Sequence, residues 1–363
     1  MKKRIALLLG MALISAAALS GCSNRKYPEK KESGQTETAG AATETEKNTE
    51  TEVLAEGSLK TGLATINSVG SSADAAKDAD GIAQTDIVMA AVTVDGDGKI
   101  VDCVIDGAQT VINFGTDGKV KTELETEFKT KNELGEDYGM VAYGGASAEW
   151  NEQAAAFADY CIGKTADEVT GMAVTEDGKA ADADLAAACT VHIGDFQSVV
   201  VKAVENAKDC GAQAGDKLGL GAVTTIGNSK DAAEEDGVSE AATTIAVTTV
   251  NADGIITSAV IDAVQAAVKF DAAGKITTDI TAAVQSKNEI GDNYGMKAAS
   301  SIGKEWNEQA EAYAQYAVGK TVDEVNGTAV TEGVPSDADL AASVTIHIAD
   351  FNAVLAKAAD SAK

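Results

Sequence analysis

Two threonines of this chain stand in the same chemical setting, near the end of each of two similar stretches of sequence. Thr190 follows Asp184 by six residues, and Thr345 follows Asp339 by the same interval. A predicted alanine-rich helix begins shortly after each threonine, and the N-terminus of a helix favours a nearby phosphate. The repeated spacing makes these two Asp–Thr pairs candidate site residues.

A tyrosine-glycine-methionine loop is the second candidate for chemistry. It occurs as Tyr138-Gly139-Met140 and again as Tyr294-Gly295-Met296. An aromatic ring and a soft thioether around a glycine could line the face of a flat ring ligand. Loop residues that pack back onto the core are the alternative, and the sequence leaves both interpretations open.

The histidines offer no catalytic arrangement. His192 and His347 occupy matching positions, so each domain has a single histidine, which cannot build a catalytic triad or a metal cluster alone. Each follows the candidate threonine by two residues on a predicted strand and should share its face. The segment 95–98, Asp-Gly-Asp-Gly, lacks the later ligands of a calcium loop and is predicted to be a hairpin turn. No metal site is predicted, and the lack of a nucleophile-and-base pair disfavours a hydrolase.

The cysteines after residue 22 are predicted to be small hydrophobic residues. Cys103, Cys161 and Cys189 align in the second stretch with the small apolar residues Ala259, Ala317 and Val344. This pattern does not fit a disulfide or metal framework shared by both stretches. One disulfide within the first stretch, where Cys210 follows the other three, stays open as an alternative.

The two similar stretches predict two tandem domains, at residues 58–208 and 215–363, joined by a polar link at 209–216. Motifs recur at an offset of 155 to 157 positions; the segment Glu-Trp-Asn-Glu-Gln, for example, begins at Glu149 and again at Glu305. Each copy has the size of a single domain, and the period is too long for a solenoid. We call them repeat 1 and repeat 2, and we expect each to fold by itself.

The predicted elements of each repeat are a β-hairpin, a further strand, helices, a short alternating strand and a final helix. The hairpin begins at 87–94 in repeat 1 and at 244–250 in repeat 2, and its second strand ends at Asp106 or Asp262. Apolar residues at helical spacing, from Trp150 to Cys161, predict a buried helix face. The alternating runs at 190–193 and 345–348 predict the last strands. Antiparallel strands with separate helices predict an α+β fold.

The order of these features resembles the FMN-binding domain. That domain occurs in the periplasmic flavin subunits of the Rnf and Nqr redox complexes and, in tandem, in surface lipoproteins of Gram-positive bacteria. In repeat 1 the resemblance rests on five short motifs. They are an Asp-Gly-Lys-Ile turn at 97–100, a Glu-Leu-Gly loop at 133–135, Glu-Trp with a later Gln at 149–153, a Gly-Lys pair at 163–164 and the Asp–Thr spacing at 184–190. Repeat 2 carries all but the turn, at 289–291, 305–309, 319–320 and 339–345.

The resemblance implies that a flavin transferase attaches FMN through its phosphate to the threonine of an Asp-x-x-Ser/Thr-Gly-Ala-Thr motif. The Asp and the Thr are present in both repeats, whereas the Ser/Thr, the Gly and the Ala are absent. A glycine would allow positive φ and close approach of the backbone to a phosphate. Covalent FMN, a non-covalent flavin or other small ligand, and no cofactor are therefore the three interpretations.

The N-terminal residues predict export and lipid anchoring. Residues 1–21 carry a basic start, an apolar run and the ending Leu-Ser-Gly before Cys22, which resembles a lipoprotein signal peptide with its lipidated cysteine. The apolar run is too short to span a bilayer comfortably as a permanent helix. Residues 22–57 are rich in Thr, Glu and Lys and poor in large apolar residues, which predicts a lipid anchor followed by a disordered tether.

The charge of the chain restricts its partners. Removal of the three basic signal residues from the 29 of the chain leaves 26 against 57 acidic residues, a net charge of −31. This charge argues against nucleic acid and against an anionic membrane surface as binding partners.

Taken together, these features of the sequence predict a flavin-binding electron carrier rather than a turnover enzyme. It is expected to be anchored on the extracytoplasmic face of the bacterial membrane, with a flavin transferase and redox proteins as partners. The alternative is a non-catalytic surface lipoprotein that binds a partner, a wall polymer or a small solute.

Overall fold

A computed structural model describes residue 55 and residues 57–363 of the chain. The signal peptide, Cys22 and nearly all of the tether lie outside these residues. Within the described part, no helix combines the length and the apolar character needed to cross a membrane.

Repeat 1 consists of three long strands followed by six helices, and a fourth strand begins at its last residue. The strands are β1 (Ser58–Ser68), β2 (Gly81–Val94), β3 (Ile100–Phe114) and β4 (Lys208–Gln213). The helices are α1 (Lys131–Leu134), α2 (Met140–Gly144), α3 (Trp150–Cys161), α4 (Ala166–Thr170), α5 (Ala183–Ala188) and α6 (Gly194–Glu205).

Repeat 2 has the same order of long strands and of the main helices, but a 3-10 helix at Met296–Ala298 replaces the counterpart of α2. The strands are β5 (Lys217–Thr225), β6 (Gly237–Val250), β7 (Ile256–Phe270), β8 (Val330–Thr331) and β9 (Val334–Pro335). The helices are α7 (Lys287–Ile290), α8 (Trp306–Ala317), α9 (Val322–Asn326), α10 (Ala338–Ala341) and α11 (Ala349–Ser361).

The strands form two main antiparallel sheets, in the orders β3-β2-β1-β4 and β5-β6-β7, so the predicted α+β class is confirmed. The predicted hairpin is present as β2 and β3, which pair over nearly their whole length. The predicted helix face from Trp150 to Cys161 is buried. The segment predicted as a polar link is in part a strand, because β4 pairs with β1 at the edge of the first sheet.

The helices cover the outer faces of the two sheets, and the inner faces of the sheets pack on each other. Helices α3 and α6 lie on the first sheet, and α8 and α11 lie on the second. Three buried apolar clusters fill the spaces between these layers: a central cluster between the two sheets, a first outer cluster under α3 and α6, and a second outer cluster under α8 and α11. At Gly62 in β1, an added Cβ would lie 2.0 Å from the carbonyl oxygen of Ala203, so only glycine lets α6 approach this strand so closely.

The central cluster draws its residues from both repeats. The rings of Phe114 and Phe270 stack there with centroids 4.3 Å apart. Two equivalent backbone hydrogen bonds join the repeats around this pair, one in each direction. The N–H of Ala75 in repeat 1 donates to the carbonyl of Gly274 in repeat 2 at 2.8 Å, and the N–H of Ala232 in repeat 2 donates to the carbonyl of Gly118 in repeat 1 at 2.7 Å. Residues 57–363 accordingly belong to one compact unit. Independent folding of each repeat stays a prediction, and separation would expose this shared core.

Two predicted strand features were wrong: the ends of the second hairpin strands at Asp106 and Asp262, and the last strands at 190–193 and 345–348. Strand β3 runs past Asp106 to Phe114 as one element, because it pairs with β2 on both sides of Asp106, and β7 likewise runs past Asp262 to Phe270. The run 190–193 is irregular rather than a strand. The N–H groups of Thr190 and Val191 are bound by the side chain of Gln153 instead of by a neighbouring strand. The run 345–348 is irregular as well.

Candidate functional site

A buried glutamine on the main helix of repeat 1 holds the candidate threonine. Gln153 lies in α3 and is fully buried. Its Oε1 accepts hydrogen bonds from Thr190 N at 2.8 Å, Thr190 Oγ1 at 3.1 Å and Val191 N at 3.1 Å. Its Nε2 donates to the carbonyl of Ala148 at 2.9 Å. The amide is thereby satisfied on both sides and fixes the position of the exposed Thr190 just before α6.

Repeat 2 repeats this arrangement around Gln309. Its Oε1 accepts from Thr345 N at 2.8 Å and from Thr345 Oγ1 at 3.2 Å. Its Nε2 donates to the carbonyl of Lys304 at 3.2 Å and contacts the sulfur of Met296 at 3.6 Å. The threonine and the methionine loop, which the sequence predicts as separate candidates, therefore meet at one glutamine.

A buried carboxylate one helical turn before the glutamine anchors the methionine loop. Glu149 accepts the N–H of Met140 at 2.8 Å and that of Val141 at 3.0 Å. Residues four apart lie on the same face of a helix, so Glu149 and Gln153 present their groups side by side. The equivalent Glu305 accepts the N–H of Met296 at 2.8 Å. One helix end thus positions both the loop and the threonine segment.

Sequence reasoning noticed this glutamate and glutamine as parts of a motif but did not place them in the site. The available signal was a polar residue inside an apolar helix face, since Gln153 is next to Ala154 on the side that carries Phe157. A buried polar side chain is normally hydrogen-bonded, so it requires a specific partner. That partner is distant in sequence and follows only from the fold.

The predicted stacking tyrosines are largely occupied by other contacts. Lys131 Nζ lies 4.7 Å from the ring centroid of Tyr138, and this ring also packs on the outer cluster. The Tyr138 hydroxyl donates to Gln109 Oε1 at 3.5 Å. Tyr294 has the same environment, with Lys287 Nζ at 4.7 Å from its centroid. Cation–π contacts of this kind contribute about 0.5–1 kcal/mol, so both rings are held in place by the protein itself.

The predicted aspartates do not join the threonines. Asp184 lies exposed in the first turn of α5, and Thr190 comes after the last turn of that helix. The residue that caps α5 is Asp182, whose Oδ1 accepts the N–H groups of Asp184 and Leu185 at 3.1 Å. Asp339 is likewise exposed in the first turn of α10. The helix therefore explains the spacing of each Asp–Thr pair, which does not reflect a shared contact.

Among the described residues, no histidine or cysteine side chain hydrogen-bonds to the site glutamines or threonines. His192 and His347 are exposed, and each ring lies over a glycine of a preceding turn, Gly178 or Gly333. The cysteines that the sequence aligns with small apolar residues, Cys103, Cys161 and Cys189, are free thiols buried in the first outer cluster. Burial raises the pKa of Cys161 to about 12, which keeps it a neutral thiol.

Two clefts with equivalent linings form a further feature that sequence reasoning missed. One cleft of about 650 Å³ contains Asp106 and Glu133 of repeat 1 together with Lys357 of repeat 2. The other, of about 630 Å³, contains Asp262, Glu289 and Lys202. A lysine bridges the repeats in each, at 2.6 Å from Glu133 and at 2.5 Å from Glu289.

Each cleft contains one aspartate that is buried in its wall. Burial raises the pKa of both Asp106 and Asp262 to about 6, although hydrogen bonds to the carboxylates act in the opposite direction. Asn132 N donates to Asp106 Oδ1 at 3.0 Å, and Asn288 N donates to Asp262 Oδ1 at 3.0 Å. These carboxylates thereby fasten the first turn of α1 or α7 to the adjoining strand.

Comparison with known proteins gives little that bears on this site. No family model matches the chain, and no solved structure matches it. A stretch of 41 residues is 56% identical to part of a chlorophenol reductase of Desulfitobacterium hafniense. The match covers 11% of this chain and 12% of that protein, so the chain spans only a small part of the relative's length.

Proposed function

We propose that this protein is a lipid-anchored, extracytoplasmic flavin-binding protein that carries electrons, with Thr190 and Thr345 as the attachment residues. The observation that carries the proposal is the paired geometry of the threonines. In each repeat a fully buried glutamine binds both the backbone N–H and the hydroxyl of one threonine just before a helix of 12 or 13 residues. Two positions with the same local chemistry fit two equivalent modification sites.

The residues around Thr190 fit an attached phosphate. The threonine is exposed, so a transferase could reach it, and the N-terminal end of α6 is nearby in the chain and favours negative charge. Among the described residues, the only non-glycine residue with positive φ is Glu332. The backbone at 186–190 and 341–345 therefore adopts its conformation without the glycine of the family motif. A bound flavin would supply redox chemistry, while the protein supplies position and electrostatics.

The attachment step would take place at the threonine oxygen. Thr190 Oγ1 would form a bond to the flavin-side phosphorus of a flavin dinucleotide as the phosphoanhydride bond breaks. The nucleoside monophosphate leaves with the bonding electrons, and the hydroxyl proton passes to solvent or to the transferase. Gln153 accepts the hydroxyl hydrogen bond before the reaction and so orients the oxygen, but a neutral amide does not act as the base.

Intact mass spectrometry tests this proposal. The full chain co-expressed with a flavin transferase should gain one FMN mass for each modified threonine and should absorb visible light as a flavoprotein. Thr190→Val and Thr345→Val should each remove one increment, whereas Thr190→Ser, which keeps the hydroxyl, should retain it. A wild-type protein without adduct and without bound flavin would overturn the proposal.

The two clefts favour a second candidate, a solute-binding protein for small organic cations. Each cleft is lined by five carboxylate side chains and two lysines, together with apolar residues of a strand and a helix. A cleft with excess negative charge and apolar walls suits a ligand with an ammonium group on a hydrocarbon body. Calorimetric titration of the full chain with putrescine tests this candidate, and Asp159→Asn, which removes one carboxylate from the cleft of repeat 1, should weaken binding there. The absence of any binding heat would exclude it.

A further inference from the structure

Tyr143 is an aromatic side chain that lies largely outside the core. It lies in α2 and is 77% exposed, the highest value among the exposed large hydrophobic residues of the described chain. One side of its ring covers Gly139, where an added Cβ would lie 2.6 Å from Cδ2 and 3.0 Å from Cε2 of Tyr143. The backbone of Gly139 is at φ +81°, a conformation that suits glycine. The ring therefore rests on a glycine, and most of its surface faces solvent.

Repeat 2 lacks this ring although it has the same scaffold. Ala299 aligns with Tyr143, and Lys297 aligns with the half-exposed Val141. Gly295 has the same φ, +82°, but no atom lies within 4 Å of the position of an added Cβ. The glycine is thus retained in both repeats, while the aromatic cover and the apolar neighbour are present in repeat 1 alone.

The position of Tyr143 connects it to the candidate site. The N–H of Tyr143 donates to the carbonyl of Gly139 at 3.0 Å. Met140, which follows Gly139, donates its own N–H to the carboxylate of Glu149. Glu149 and Gln153 are neighbours on α3, and Gln153 binds Thr190. The ring and the threonine are therefore carried by two segments that are anchored to the same end of one helix.

We infer that Tyr143 is the residue of repeat 1 that stacks on the flavin ring, and that the two repeats bind flavin unequally. This inference rests on the proposed function. Tyr138 cannot serve in this way as readily, because Lys131 covers its ring. Tyr143 presents an open aromatic face, and offset stacking on the flat flavin ring adds affinity beyond the area that it buries. Repeat 1 should bind FMN about tenfold more tightly than repeat 2.

Titration of the full chain with free FMN, without a transferase, tests the inference through quenching of flavin fluorescence and calorimetric stoichiometry. The wild type should show one tighter and one weaker site. Tyr143→Ala should weaken the tighter site about tenfold, and Tyr143→Phe should retain it, since the ring rather than the hydroxyl stacks. Ala299→Tyr should strengthen the weaker site.

The outcomes separate this inference from the proposal on which it rests. Because Tyr143 is exposed, the alanine variant should unfold at the wild-type temperature, which controls for misfolding. Equal FMN affinity of the wild type and Tyr143→Ala would overturn the role of Tyr143 and leave flavin binding in place. The absence of FMN binding to the wild type would also overturn the stacking inference, whereas the proposed function fails only if co-expression with a transferase yields neither adduct nor bound flavin.

Discussion

Phe114 and Phe270 stack across the centre of the molecule, with ring centroids 4.3 Å apart and ring planes 10° apart. Both rings are fully buried, and each ends the long second strand of its hairpin. An aromatic pair of this geometry contributes about 0.5–1.5 kcal/mol beyond the apolar area that it buries. The two rings thus come from the last residues of β3 and β7 and meet in the central cluster that both repeats share.

Phe114→Ala should therefore destabilise both repeats together. The loss of a buried phenyl ring costs about 3–5 kcal/mol, and the cavity would open in the shared cluster. Each repeat has one tryptophan, so Trp150→Phe and Trp306→Phe backgrounds allow the unfolding of each repeat to be followed separately by fluorescence in urea. We expect both midpoints to fall by the same amount. A shift of the repeat 1 signal alone would show that the repeats unfold independently.

Asp106→Asn should stabilise the protein relative to the wild type at alkaline pH. At acidic pH the variant and the wild type should be nearly equally stable. Burial raises the pKa of Asp106 to about 6 from 3.8. Between these values the folded protein binds more protons than the unfolded chain, so the free energy of unfolding of the wild type falls as the pH rises to about 6. The full difference is on the order of 3 kcal/mol.

Urea unfolding at pH 8 and at pH 4 measures this effect. The asparagine keeps an oxygen for the N–H groups of Gly107 and Asn132, so the gain should appear at pH 8 and nearly vanish at pH 4. Asp262→Asn should behave alike, and the exposed Asp184→Asn is the control that should change little. Equal destabilisation by Asp106→Asn at both pH values would contradict this account.

Gln153→Leu should release the threonine segment of repeat 1. The substitution removes the acceptor of three hydrogen bonds, each of which contributes about 0.5–1.5 kcal/mol. Hydrogen exchange followed by mass spectrometry should show faster exchange at 190–191. The unchanged segment around Thr345 serves as an internal control, and unchanged exchange at 190–191 would mean that Gln153 does not hold this segment.

Cys22→Ala should abolish lipid attachment. The motif Leu-Ser-Gly-Cys at 19–22 predicts cleavage before Cys22 and acylation of its sulfur. The variant should remain uncleaved by the lipoprotein peptidase and should take up no fatty-acid analogue. Cys103→Ala, which removes a buried thiol, is the matched control and should be labelled like the wild type. Equal labelling of Cys22→Ala would contradict the prediction.

The α+β class, the main hairpins and the buried helix faces could be predicted from the sequence because they depend on local periodicity. The alternation of apolar residues in β2 and their helical spacing from Trp150 to Cys161 indicate which side chains are buried. These patterns do not depend on which element packs against the buried face. The capping box of α4, Thr165 with Glu168, is local in the same way. The recurrence of motifs is also a property of the sequence by itself.

The tertiary structure alone decided which groups meet. Periodicity could not indicate that the inner sheet faces of two repeats bury each other, because an apolar face does not specify its partner. An alternating run at 190–193 has the pattern of a strand, but the Gln153 amide satisfies its backbone, and this contact joins residues 37 positions apart. Hydrogen bonding of a buried polar group thus outweighed local strand propensity. The candidate site at Thr190 and the segment that carries Tyr143 are brought to one end of α3 by the tertiary fold alone.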